Sequence, residues 1–145
     1  MTLRVHFHPL VALPPDLEPF PAPALAELLK VEGLAAAGAV HCVLTDDVQL
    51  TDLNRRFRGR AGPTDVLAFP YPPSESGGVL GDIYVSIERA ASQAGERGES
   101  VAREVWRLFV HGALHLAGRG HETPASGRRM REIQEAWVSR VYPRR

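Results

Sequence analysis

Three histidines at spacings of four and six, with a glycine-broken stretch before the last, limit this chain more than any other feature. They lie in Val110-His111-Gly112-Ala113-Leu114-His115-Leu116-Ala117-Gly118-Arg119-Gly120-His121-Glu122. On a predicted helix, His111 and His115 project from the same face one turn apart. Gly118 ends that helix. Gly118 and Gly120 can take positive φ, so the chain can fold back and carry His121 to the same point. Three neutral imidazoles at ~2.0–2.1 Å suit one Zn²⁺ ion and leave a fourth position for water, which marks a catalytic rather than a structural site. Zinc lowers the pKa of such a water to about 7 and so supplies a nucleophile at neutral pH.

Two other readings fit the same spacing. The metzincin proteases share it, but they place their general base directly after the first histidine. Here that position is Gly112, which can move no proton, so a zinc metallopeptidase-like hydrolase ranks second. A fourth protein ligand would instead close the site, giving a non-catalytic, zinc-stabilised protein.

Composition narrows the choice. Cys42 is the only cysteine, so neither an internal disulfide nor a thiolate metal cluster can form, and a metal must be held by His, Asp or Glu. The formal net charge is zero, so the overall field does not point to nucleic acid. The distribution says more: 16 of the 17 basic residues are arginine, with Arg55, Arg56, Arg58 and Arg60 close together and a basic C-terminus. The 145 residues suit a single domain over 1–145 with a real core. No apolar stretch is long enough to span a bilayer, and the N-terminus lacks a signal-peptide layout, so a cytoplasmic location is expected.

Periodicity supplies the elements. Leu3–His8 alternates as a half-buried strand, and Val40–Thr45 alternates likewise. Six prolines between residues 9 and 23 exclude regular structure there. Ala24–Glu32 reads as a short helix closed by Gly33. Asp46 or Asp47 caps a helix with apolar positions Leu50, Leu53 and Phe57 and with Gly59 at its end. Asp65–Tyr71 and Val79–Ile87 are further strands, joined by a mobile, low-complexity loop at 72–78. Helices are predicted over Glu88–Arg97, from about Glu99 to Ala117, and over Ala125–Val141. Four strands and about five helices in mixed order suggest one layered α/β domain.

The histidine segment resembles the signature His-Gly-x-Leu-His-Leu-x-Gly-Tyr-Asp-His of the YbeY family of bacterial endoribonucleases. It departs from that signature at Arg119 and Gly120. Leu53–Phe69 is similar to the family's Leu-Asn-x-x-Tyr-Arg-Gly-Lys-x-x-Pro-Thr-Asp-Val-Leu-Ser-Phe stretch. Leu80–Ser86 is similar to its Leu-Gly-Asp-Ile-x-Ile-Ser strand. The resemblance covers about residues 40–140. It implies an α+β fold: a central four-stranded mixed sheet flanked by about five helices, carrying a zincin-like three-His metal site. It implies a zinc-dependent, single-strand-specific endoribonuclease acting in rRNA maturation and ribosome quality control. Ribosomal RNA, ribosomal proteins and an assembly GTPase are the partners it suggests.

The resemblance makes Arg58 the functional arginine, and a guanidinium can indeed grip phosphate bidentately and follow charge into the transition state. Arg60, at the same helix end, and Ser86 are candidate substrate-binding residues. Arg55 and Arg56 read as a solvated helix face. Glu122 is a candidate general base, although an exposed loop carboxylate is the commoner meaning of such a residue. Asp65 and Asp82 read as structural, and His6, His8 and His41 as non-catalytic polar-face residues. Trp106 and Trp137 read as core.

Overall fold

The computed structural model describes residues 2–60, 62, 64–72 and 78–144. Their order is β1 (Leu3–Pro9), α1 (Ala22–Val31), β2 (Gly38–Thr45), α2 (Asp47–Arg58), β3 (Val66–Pro70), β4 (Val79–Ser86), α3 (Ile87–Arg97), α4 (Val101–Leu116) and α5 (Pro124–Val141). The loop expected at 72–78 falls largely outside the described residues.

Side-chain caps set most helix starts. Asp46 accepts from the Gln49 N–H at 2.8 Å, Ser86 from Arg89 and Ser100 from Arg103. Thr123 and Ser126 form a reciprocal capping box at the start of α5. Gly59 and Gly98 close α2 and α3 at φ 64° and 66°, a conformation glycine adopts without steric cost. The proline-rich stretch does not stay irregular to residue 23, as the sequence suggested. Helix α1 starts at Ala22 with Pro23 in its first turn, where the missing N–H would have had no helical partner.

The strands form one sheet in the order β1-β2-β4-β3. β1, β2 and β4 run parallel, and β3 pairs antiparallel with β4 at the edge, so the sheet is mixed. With helices segregated around such a sheet the domain is α+β. The inward side chains Val40, Cys42, Leu44, Ile83 and Val85 are fully buried. Against them lies α4, whose Val105, Trp106, Phe109, Val110, Ala113 and Leu114 are also fully buried. Phe20 stacks on Phe7 at 4.1 Å and meets Phe109 and Trp106 edge-on, joining β1 to α4. Each large apolar side chain buried in this way contributes about 1.5–3 kcal/mol. Trp106 and Trp137 are core residues, as their spacing indicated. The alternate sheet positions His6, His41 and Asp82 share the other face in one register row.

Phe57 departs from expectation. Leu50 and Asn54 are the buried residues of α2, and Phe57, in its last turn, is 62% exposed.

A buried charge network ties α5 to the N-terminal half of α4. Arg107 makes a bidentate pair with Glu135 at 2.9 Å, binds Glu99 at 2.7 Å and contacts Glu104. Burial pushes the Glu104 carboxyl up, and the Arg107 hydrogen bond offsets part of that effect. Burial also works against the Arg107 charge, but its three carboxylate partners hold the guanidinium firmly protonated. Removing one partner from such a network leaves uncompensated buried charge. Arg107→Met should therefore destabilise the fold by about 3–5 kcal/mol in urea unfolding. A loss below about 1 kcal/mol would show that the network contributes little.

Candidate metal centre and its cleft

Helix α4 packs directly against the sheet at Gly112. A Cβ there would stand 2.5 Å from Ile83 Cγ2 and 3.3 Å from Val66 Cγ2. The missing side chain lets the backbone settle on β4 and β3, with His111 and His115 lining the wall of a cleft beside β3. This contact also removes the metallopeptidase geometry. The position after the first histidine faces packed aliphatic carbon, where a catalytic carboxylate has no room.

The return to His121 is a Schellman turn. Gly118, at φ 97°, donates to the His115 carbonyl, and Arg119 donates to the Leu114 carbonyl, both at 3.0 Å. The Thr123 cap then starts α5. As a result the three rings converge, with centroids 4.6 Å apart for His111 and His115, 5.1 Å for His115 and His121, and 5.7 Å for His111 and His121. One ligand nitrogen from each lies within 4.8 Å of the others. The Nε2 atoms of His111 and His115 are 3.0 Å apart. That separation suits two nitrogens each ~2.0–2.1 Å from one ion, and an all-imidazole donor set suits zinc. The residues therefore fit a borderline divalent metal. Among the described residues the cluster has three members and no fourth His, Cys, Asp or Glu.

Gln134 of α5 orients the first of these rings. His111 Nδ1–H donates to Gln134 Oε1 at 2.7 Å, which leaves the Nε2 lone pair facing the cluster. The Gln134 amide is held in turn by Glu135 Oε2 at 3.1 Å. Burial lowers the His115 pKa, and the neighbouring His111, His121 and Arg58 lower it further, so the neutral, ligating form is favoured.

The cleft has a volume of about 620 Å³ and runs between α4, β3 and the end of α2. Arg58 and Arg60 both line it, together with Asn54 and Thr64. Arg58 reaches across the sheet edge and donates to the Ala68 carbonyl at 2.7 Å. Arg55 and Arg56 instead pair with Asp52 at 3.1 Å on the solvated side of α2.

Ser86 is not a substrate contact. It is 0% exposed, its hydroxyl donates to Asp47 Oδ1 at 2.6 Å, and it caps α3. The Leu-Gly-Asp-Ile strand ends there in a helix start. Asp65 stands in the cleft wall, and one of its carboxylate oxygens accepts from Gln93. Asp82, on the far sheet face, accepts from the Tyr71 hydroxyl, and this bond, with burial, raises the Tyr71 pKa to about 12. His8 and His41 pair with each other at 2.8 Å on that face. Arg119 pairs instead with Glu32, the C-cap residue of α1, at 2.5 Å. The Glu122 carboxylate fills the space that a side chain at residue 120 would enter.

Sequence reasoning missed Gln134 and Asn54. Both carried a signal: each is a polar residue on the buried stripe of an amphipathic helix, Gln134 beside Met130 and Trp137, Asn54 beside Leu50.

A three-imidazole centre in an arginine-lined cleft, borne on an α+β domain, defines the metal-dependent hydrolase class. Within that class the chain belongs to the YbeY family, whose model, described as Endoribonuclease YbeY, matches residues 16–142. An Endoribonuclease YbeY of Moorella thermoacetica is 44% identical over 124 residues, covering 79% of this chain and 80% of that protein. One from Carboxydothermus hydrogenoformans is 44% identical over 116 residues, covering 80% of each. A solution structure of a Thermotoga maritima protein superposes with a TM-score of 0.62 at 29% identity, covering 97% of this chain and 89% of that one.

Two outcomes test the centre. Gln134→Leu should weaken zinc affinity about 10–100-fold in competition with a chromophoric chelator, with the helical circular dichroism unchanged. Unchanged affinity would assign Gln134 to packing alone. Protons compete with metal for the imidazoles. Because burial and its neighbours hold the His115 pKa below the ordinary value, metal should stay bound near neutrality and be lost only on stronger acidification. Metal content after dialysis at stepped pH measures this, and full occupancy at pH 4 would contradict histidine ligation.

Proposed function

We propose that this chain is a zinc-dependent endoribonuclease that cuts single-stranded RNA during maturation of ribosomal RNA. The observation that carries the reading is the convergence of His111, His115 and His121 in a cleft that Arg58 also lines. Family membership supplies the reaction class.

When bound, zinc supplies Lewis-acid polarisation and an acidified water. The protein's own groups do the rest. Gln134 fixes the His111 tautomer, and the field of Arg58 helps keep His115 deprotonated. Arg58 spends one N–H on the Ala68 carbonyl, so its fork is held in place with donors left to grip a phosphate and follow its charge through the reaction. Arg60 extends the positive wall for the neighbouring phosphate. The close packing at Gly112 disfavours a peptidase, and the three-member ligand group disfavours a closed structural site.

Ribosomal RNA as substrate sets this enzyme in the cytoplasm, with ribosomal proteins and an assembly GTPase as its natural partners. No helix among the described residues is long and apolar enough to cross a membrane.

His115→Ala should lose zinc and abolish cleavage of single-stranded RNA. Arg58→Ala should keep full zinc content and lower kcat by about 10²–10³-fold. Undiminished cleavage by the histidine variant would sink the mechanism, and loss of metal from the arginine variant would reassign Arg58 to the centre's architecture.

A further inference from the structure

A row of aromatic rings that the metal centre does not use runs from the end of α2 over the edge strand β3 to β4, on the sheet face that carries Asp82. Phe57, exposed at the end of α2, meets Phe69 edge-on with centroids 5.9 Å apart, and Phe69 meets Tyr84 in the same way at 5.9 Å. Guanidinium groups lie over both phenylalanines: Arg56 is 5.3 Å from the Phe57 centroid, and Arg58 is 5.5 Å from that of Phe69. Arg58 also lines the cleft, as His115 does. One side chain therefore forms the boundary between the cleft and the ring row.

We propose that Phe57 and Phe69 form a base-stacking subsite for a nucleotide flanking the one at the metal centre. The substrate strand leaves the cleft past Arg58 and crosses the β3 edge. The inference rests on the endoribonuclease reading and adds to it the route of the strand. Single-stranded RNA is the occupant that the chemistry favours. Every base offers a π-face to an aromatic ring, and the phosphates between bases need cations at the same spacing along the strand. The surface supplies both. Arg58 and Arg60 have no carboxylate partner among the described residues, whereas Arg55 and Arg56 are already paired with Asp52. A second copy of the chain would gain from the exposed ring but would bring these cations together without neutralising them. Because base stacking tolerates any sequence, the subsite contributes affinity and strand direction rather than base specificity.

The test uses the zinc-loaded full-length chain and a short single-stranded oligoribonucleotide with phosphorothioate linkages and one 2-aminopurine. Phe57→Ala should raise Kd about tenfold by fluorescence anisotropy and abolish the 2-aminopurine quenching seen with the unmodified chain. Phe57→Trp should restore both, and zinc content and thermal midpoint should not move. Equal affinity and equal quenching for Phe57→Ala would overturn the subsite. So would unchanged RNA binding with a shift in sedimentation, which would identify the ring as a contact between copies. Cleavage of the unmodified RNA is scored separately. Stacking without cleavage would sink the endoribonuclease reading and leave the subsite standing, while cleavage with no effect of Phe57→Ala on binding would do the reverse.

Discussion

The close contact between α4 and the sheet at Gly112 is the constraint on which the centre depends. With no side chain between them, the helix backbone rests on Ile83 and Val66. His111 and His115, on either side of that contact, line the cleft together with Val66, Leu67 and Ala68 of β3. A larger residue would lift the helix by part of a side-chain radius and move both ligands together. Close-packed interiors respond to such a change by shifting whole elements, because they contain little free volume to absorb it.

A second dependence runs through the charges buried between α4 and α5. Arg107 holds Glu135, Glu135 holds the Gln134 amide, and Gln134 holds His111. The orientation of His111 is thus coupled to an ion network centred one turn earlier on α4. The network resists water because Glu104 and Arg107 are almost wholly buried. Its rigidity reaches the ligand through hydrogen bonds whose geometry leaves little rotational freedom. Fixing a ligand ring in this way before the metal arrives removes an ordering cost from binding.

Much of this was legible in the sequence, for reasons that differ by residue. The histidine spacing and Gly118 announced the centre because a helical turn and a left-handed closure are local geometry, set by a few neighbouring residues. The strands and helices followed from apolar period and caps, with boundaries within about two residues. Ser86 was misjudged because serine at a strand end serves a substrate or a helix cap with the same hydroxyl. Only the start of α3, which places the Arg89 N–H against it, decides between them. Phe57 was misjudged because the 3.6-residue period gives the face but not where the partner surface ends. The last apolar residue of α2 meets only the Phe69 ring of the edge strand and stays largely exposed. Gln134 lies in α5, far along the chain from the ring it orients, and no local pattern carries that pairing.

Arg58 caps an exposed strand edge as well as facing the cleft. β3 is the last strand of the sheet, and the Ala68 carbonyl would otherwise be open to pairing with another chain. The guanidinium fills that acceptor and sets a positive charge against it. On the proposed function, pressure against self-association and pressure for activity thus fall on the same side chain. Lysine, with a single point of contact, could not meet both demands at once. An inactive lineage that lost this arginine would lose its guard against edge-to-edge aggregation in the same step.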